Sequence, residues 1–180
     1  KTIWDKAKGK LPNLFFRMID YIPTRVHVGK YYSLSHKFTA IPSDNTKSIL
    51  IKVGSEPIHT TFSIVTNGDA DGAFYENAEV TDDGTEISLV NHKRTGTIRS
   101  TDTKVFHSPS PSSKGTNLID NEYMPGGMRK NNFFGGASSK REEWVLAANT
   151  NYLVEVHNDS ASEIKACISA GFFENSDLLS

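Results

Sequence analysis

From residue 25 to about residue 91, apolar and polar side chains alternate with a period of two, the spacing of strands that turn one face to a core. Val26 and Val28 alternate with Arg25 and His27, and Tyr32, Leu34 and His36 continue the rhythm. Ile49, Ile51 and Val53 predict a second strand, bounded by Ser43-Asp44-Asn45 and Gly54. Phe62 and Ile64 predict a third, closed by an Asn67-Gly68 turn. Residues 74–80 and 86–91 predict two more, joined as a hairpin at Asp82-Asp83-Gly84, because Asp and Gly both tolerate positive φ.

Two segments break this pattern. In residues 2–22, Leu11, Leu14, Phe15, Met18, Ile19 and Ile22 recur at three- and four-residue spacings, which places them on one helical face. Pro12 suits a first helical turn and Pro23 stops the helix. From Gly96 to Lys140, Pro109, Pro111, Gly115, Pro125-Gly126-Gly127 and Gly135-Gly136 interrupt any regular element, with a strand expected only at Val105-Phe106. Strands resume at Trp144-Val145-Leu146, at residues 152–156 and at residues 164–173, with turns at 148–151 and 158–160 between them.

Seven or more short strands with frequent turns predict an all-β fold, an antiparallel β-sandwich of jelly-roll type with a short N-terminal helix and arm. No helix-sized segment separates the strands, which disfavours a parallel α/β sheet, and no internal repeat suggests a solenoid or propeller. The 180-residue length suits one core. The expected organisation is an arm and helix over residues 1–24 and a sandwich over 25–180, with a long loop at about 96–140.

Charge narrows the partners. A formal net charge of −1 is too balanced for an electrostatic nucleic-acid binder. The basic excess of Lys1, Lys6, Lys8 and Lys10 over Asp5 neutralises too few phosphates to change that. No stretch reaches the ~20 apolar residues that span a bilayer, so no membrane partner is expected. Pro12, Arg17 and Asp20 interrupt any signal-peptide core, so export is not expected either. Cys167, the single cysteine, allows no intrachain disulfide and reads as a small buried hydrophobe in an apolar run.

Candidate chemistry is sparse. Residues 67–72 (Asn-Gly-Asp-Ala-Asp-Gly) imitate the first half of a calcium loop through Asp69 and Asp71, but the twelfth position is Ala78 where a bidentate Glu is needed. A turn rich in Asp and Gly is the simpler reading. The histidines His27, His36, His59, His92, His107 and His157 never occur at metal-ligand spacing. No serine lies in a nucleophile elbow. Glu142 and Glu143 point to opposite faces of one strand, and Glu76 and Glu79 complete no defined carboxylate pair. No catalytic activity, cofactor or metal is therefore expected.

Two features suit protein contact instead. Lys93 and Arg94 follow an apolar strand and can pair with partner carboxylates, or simply end a strand in solvent. Tyr123, Met124, Met128, Phe133 and Phe134 are too apolar for a plain glycine-rich linker and predict a contact surface.

The stretch 62–80, Asn91-His92-Lys93-Arg94-Thr95, and Glu142-Glu143-Trp144-Val145-Leu146 with Asn149-Thr150-Asn151-Tyr152-Leu153 resembles a family of tailed-phage virion proteins. These are head decoration, cement or head-fibre-like β-sandwiches, in which such elements bracket a glycine-rich loop. The resemblance covers residues 25–175 and implies a capsid-surface protein of the virion. It would bind the major capsid protein as a small symmetric oligomer such as a trimer. Leu14, Phe15 and Met18 on the helix and the loop from Tyr123 to Phe134 are the expected contacts. The rival expectation is a receptor- or carbohydrate-binding module of a tail fibre or spike. It requires an exposed aromatic platform, for which Trp4, Tyr31, Tyr32 and Tyr123 are candidates while Trp144 is expected in the core.

Overall fold

The computed structural model describes residues 25–96, 99–125 and 143–174. The expected N-terminal helix, with Leu14, Phe15 and Met18, and the loop residues Met128, Phe133 and Phe134 lie outside the described residues.

The strands are β1 (Tyr31–Ile41), β2 (Thr46–Lys52), β3 (Ile58–Thr66), β4 (Ala70–Glu76), β5 (Glu79–Asp82), β6 (Thr85–Glu86), β7 (Val90–Asn91), β8 (Lys104–His107), β9 (Ser110–Ser113), β10 (Thr116–Met124), β11 (Trp144–Leu146), β12 (Asn151–Asn158) and β13 (Ile164–Glu174). Sheet A has the order β11-β3-β13-β1-β7, and sheet B the order β10-β4-β12-β2-β8-β6. A two-stranded sheet C pairs β5 with β9. All pairings are antiparallel. The two large sheets pack face to face, so the predicted all-β sandwich is the fold.

Alternation in β1 turns Tyr32, Leu34 and Phe38 inward, and in β13 it turns Ile164, Ala166, Ile168, Ala170 and Phe172 inward. They meet Ile49, Ile51, Phe74, Tyr152, Val154 and Val156 of sheet B in one continuous core. Phe74 bridges the sheets, its ring 5.0 Å from Phe62 and 5.2 Å from Trp144. Trp144 is half-buried against that core, and Met124 is 4% exposed within it.

Several expectations need correction. Residues 25–27 form a helical turn beyond Pro23, not the start of a strand. Lys30 N donates to Arg25 O (2.9 Å) and Gly29 N to Val26 O (3.0 Å), a Schellman closure that needs the left-handed φ of 77° at Gly29. The described residues of the stretch 96–140 contain three strands, β8, β9 and β10, where one was expected. Residues 74–80 are split at Asn77, whose φ is 61°. Asp82-Asp83-Gly84 makes no hairpin, since β5 pairs with β9 and β6 with β8. Nor do the turns at 67–69, 147–150 and 159–163 make hairpins: each carries the chain from one large sheet to the other.

Candidate binding surface

The outer faces of the two large sheets differ. Over sheet B, sheet C builds a roof. Leu50 and Leu153, on the side of sheet B away from the main core, are fully buried with Ala78 and Phe106, and Tyr75 and Val80 pack against them. Lys114, just past β9, ties the roof down by donating to Glu155 Oε2 at 2.7 Å. Its ammonium also sits 5.4 Å from the Tyr75 ring centroid. Glu155 is buried, and the hydrogen bond to it pushes the Lys114 pKa upward against partial desolvation. Two apolar residues at alternate outward positions of β2 and β12 are what demand such a cover.

Over sheet A no described element forms such a roof. Its outward residues run in register across three strands: Ser33, Gly171 and Thr61 in one row, Ser35, Ser169 and Ser63 in the next. Small hydroxyl side chains leave this centre flat. Ser35 Oγ lies 3.1 Å from Ser169 Oγ and 3.3 Å from Cys167 Sγ. Cys167 is therefore half-exposed on the outer face, not a buried hydrophobe, because its chain neighbours Ala166 and Ile168 take the inward positions of β13.

One end of this face is aromatic. The Tyr31 hydroxyl rests on Gly171: a Cβ built there would lie 2.3 Å from it. His92 meets the Tyr31 ring edge-on at 4.7 Å, and its Nε2 lies 2.8 Å from Ser33 Oγ. Beside them His59 stacks on Phe173 at 4.8 Å and bonds Glu143 Oε1 through Nδ1 at 2.7 Å. The Arg25 guanidinium lies 5.6 Å from the Phe173 ring centroid. Val145, in register with His59, is 60% exposed.

The Asn91-to-Thr95 element sits at the same end. Asn91 is its anchor: Nδ2 donates to Gly29 O at 2.8 Å and Arg99 O at 3.4 Å, and Oδ1 accepts from Lys93 N at 2.8 Å. That fixes Lys93, half-buried, and Arg94, exposed, beside Tyr31 and His92. Tyr123 lies elsewhere, exposed on edge strand β10. Met124, expected as a contact, is instead core, because β10 turns it inward beside Ala70. Among the described residues, Lys93 and Arg94 thus fall on one surface and Tyr123 on another. The sequence offers Tyr31 as a platform candidate but not its meeting with His92 and Gly171, although a glycine inside a strand pattern is a signal of close approach.

At the opposite end, Asp44, Asp69, Asp71 and Asp159 gather around His157 and Tyr123. His157 Nε2 lies 3.5 Å from Asp44 Oδ1 and 3.4 Å from Asp159 Oδ1. Burial, then the hydrogen bond and charge of Asp159, push the Asp71 carboxyl upward. Partial desolvation and the adjacent Asp69 raise the Tyr123 hydroxyl. Among the described residues no group of three or more His, Cys, Asp or Glu side chains is placed to hold a metal ion. Asp69 and Asp71 do not form a calcium loop, since residues 70–76 enter β4 directly. No helix among the described residues is long and apolar enough to cross a membrane.

No family model, curated protein or solved structure matches the chain.

Proposed function

We propose that this protein is a non-enzymatic decoration or cement protein of a tailed-phage head, a jelly roll that binds the major capsid protein on the outer face of the assembled shell. The observation that carries the reading is the strand order. Leaving aside the insertion β5–β9, eight strands remain, β1–β4 and β10–β13. Sheet A then reads first-eighth-third-sixth from β1, and sheet B second-seventh-fourth-fifth from β2. That order supports the jelly-roll reading, an architecture shared by viral capsid and lectin domains. Among the described residues, the roofed sheet B and the flat, uncovered sheet A leave the sandwich one face for contact. Lys93 and Arg94 at its rim suit carboxylates on a partner.

The mechanism is linkage. A protein that binds assembled shells and not free subunits shifts the equilibrium toward the shell by the free energy of that binding. A small symmetric oligomer, such as a trimer, reuses one interface at each site. The protein acts at the capsid surface of the virion, without nucleic acid or membrane as partner and without a cofactor.

The test is co-sedimentation with shells of the major capsid protein, against free subunits and host glycans. Saturable binding to shells alone supports the reading. Binding to free subunits as well, or to neither, sinks it. Deleting residues 2–22 is expected to weaken shell binding, and unchanged binding would remove that arm from the contact.

A second reading has one observation in its favour. Tyr31, laid across Gly171 and rimmed by His92, Ser33 and Thr61, has the aromatic-with-polar-rim character of a saccharide contact, which a receptor-binding module of a fibre or spike needs. Retention on host glycans, lost in Tyr31→Ala, would favour it.

A further inference from the structure

His36 and His107 meet where the two large sheets close on each other. His36 takes the inward position between Leu34 and Phe38 on β1, and His107 the inward position after Val105 on β8. The rings stack with centroids 4.0 Å apart and planes 14° from parallel, while Phe38 packs edge-on to His36 at 4.7 Å. In register beside them stand Ile168 on β13, Ile49 on β2 and Thr85 on β6. His107 Nδ1 lies 3.3 Å from Ser108 Oγ, in the turn that leads from β8 into β9 and so into the roof.

We propose that this stacked pair is an acid-sensitive latch, holding the β8 edge of sheet B, and with it the root of sheet C, against sheet A. The inference is independent of any capsid partner. Two neutral imidazoles stack as aromatic rings, whereas two imidazoliums place like charges face to face in a half-buried seam.

The surroundings offer little relief. Lys37 on β1, Lys104 on β8 and Glu86 on β6 occupy positions of the opposite, outward parity. On inward parity the charged or titratable residues are Tyr32 on β1, Lys47 on β2 and Glu174 on β13, each two or more positions away along its strand. Burial first, and the charge of His107 second, lower the His36 pKa from 6.5. The folded state therefore binds fewer protons here than the unfolded chain. The latch contributes in full above pH 6.5 and weakens as the pH falls through that value and below.

The test compares Tm from about pH 8 to about pH 5 for the wild type and for His36→Phe/His107→Phe, which keeps the stacked rings and removes the titration. Expected is a steeper acid fall in the wild type than in the double variant, with wild-type amide protection in β8 lost before that in β12. Parallel curves, or simultaneous loss in both strands, would overturn the proposal. If the double variant does not fold, imidazole titration of the wild type by NMR decides: His36 titrating below 6.5 supports the latch, and at or above it overturns it.

Discussion

Asn158, wholly buried at the end of β12, donates from Nδ2 to the carbonyl of Ile41 at 2.8 Å, joining the loop that leaves β1 to the loop that enters β13. The same nitrogen donates to Ser162 O at 2.9 Å, and Oδ1 accepts from Ser160 N and Ser160 Oγ. Its backbone exchanges bonds with Asp44 and Asn45. Replacing Asn158 by Leu strands the Ile41 carbonyl in the interior and removes the bonds that hold half-buried Ser160 and the Ser162 carbonyl. Each unsatisfied buried group costs about 1–3 kcal/mol, so a loss of about 3 kcal/mol is expected in denaturant unfolding. A loss below about 1 kcal/mol would mean that water replaces the side chain.

Lys114 and Glu155 form one of the charged contacts that tie the roof to sheet B. Lys114→Met removes the partner of a carboxylate that is only 7% exposed, while the lysine itself is half in solvent, so a cost of about 1 kcal/mol is expected. Adding Glu155→Gln to Lys114→Met should recover part of it, because the uncompensated charge is gone. A double-mutant cycle with zero coupling energy would show that Leu50 and Leu153 hold the roof alone.

Gly115 and Gly171 should respond oppositely to alanine. At Gly115, φ is 79° and the new Cβ would stand 2.1 Å from the Glu76 carbonyl oxygen, a backbone atom that cannot swing aside. A loss of about 2 kcal/mol or more is expected. At Gly171 the obstacle is the far end of the Tyr31 side chain. Stability there should change by less than about 1 kcal/mol, since alanine also lowers the entropy of the unfolded strand. The Tyr31 ring resonances should shift markedly, and unchanged shifts would show that Tyr31 does not rest on this glycine in solution.

Tyr152 should ionise late. Burial first, and then the hydrogen bond its hydroxyl donates to Glu76 Oε1 at 2.7 Å, push its pKa from 10.0 to about 12. The neutral phenol is the form the fold prefers. Its contribution is complete below pH 10 and lost as the pH rises through about 12. An ultraviolet alkaline titration should show a late step, absent in Tyr152→Phe. If the variant loses only an early step, the hydroxyl is not held by Glu76.

What the sequence conveyed depended on burial. β1 and β13 were legible because one face is core and the other is polar, so Leu34 and Ile168 stand out by period alone. β9 and β10 were not: Ser-Pro-Ser-Ser and Thr-Asn-Leu-Ile-Asp-Asn-Glu-Tyr-Met lack a clean apolar alternation, and backbone pairing to β5 and β4 makes them strands. Turn residues marked where the chain reverses, yet Asn67-Gly68 carries no information about which sheet receives β4. The candidate surface was half legible. Lys93 and Arg94 were visible as a polar run, but their anchor Asn91 is defined by Gly29 and Arg99, partners that no local spacing reveals. Tyr31 and Gly171 likewise meet only through the β1–β13 register.

Because the turns between successive strands of the two large sheets pass across the sandwich, the chain has almost no local pairing with which to begin. β1 is held by β13, the last of the described strands in chain order, and β13 lies at the centre of sheet A. Assembly of sheet A must therefore wait until β13 has left the ribosome, with strand edges uncovered meanwhile, a regime of slow folding and aggregation risk. A nascent chain stopped short of Ile164 would lack the central strand of sheet A, however intact the strands before it are.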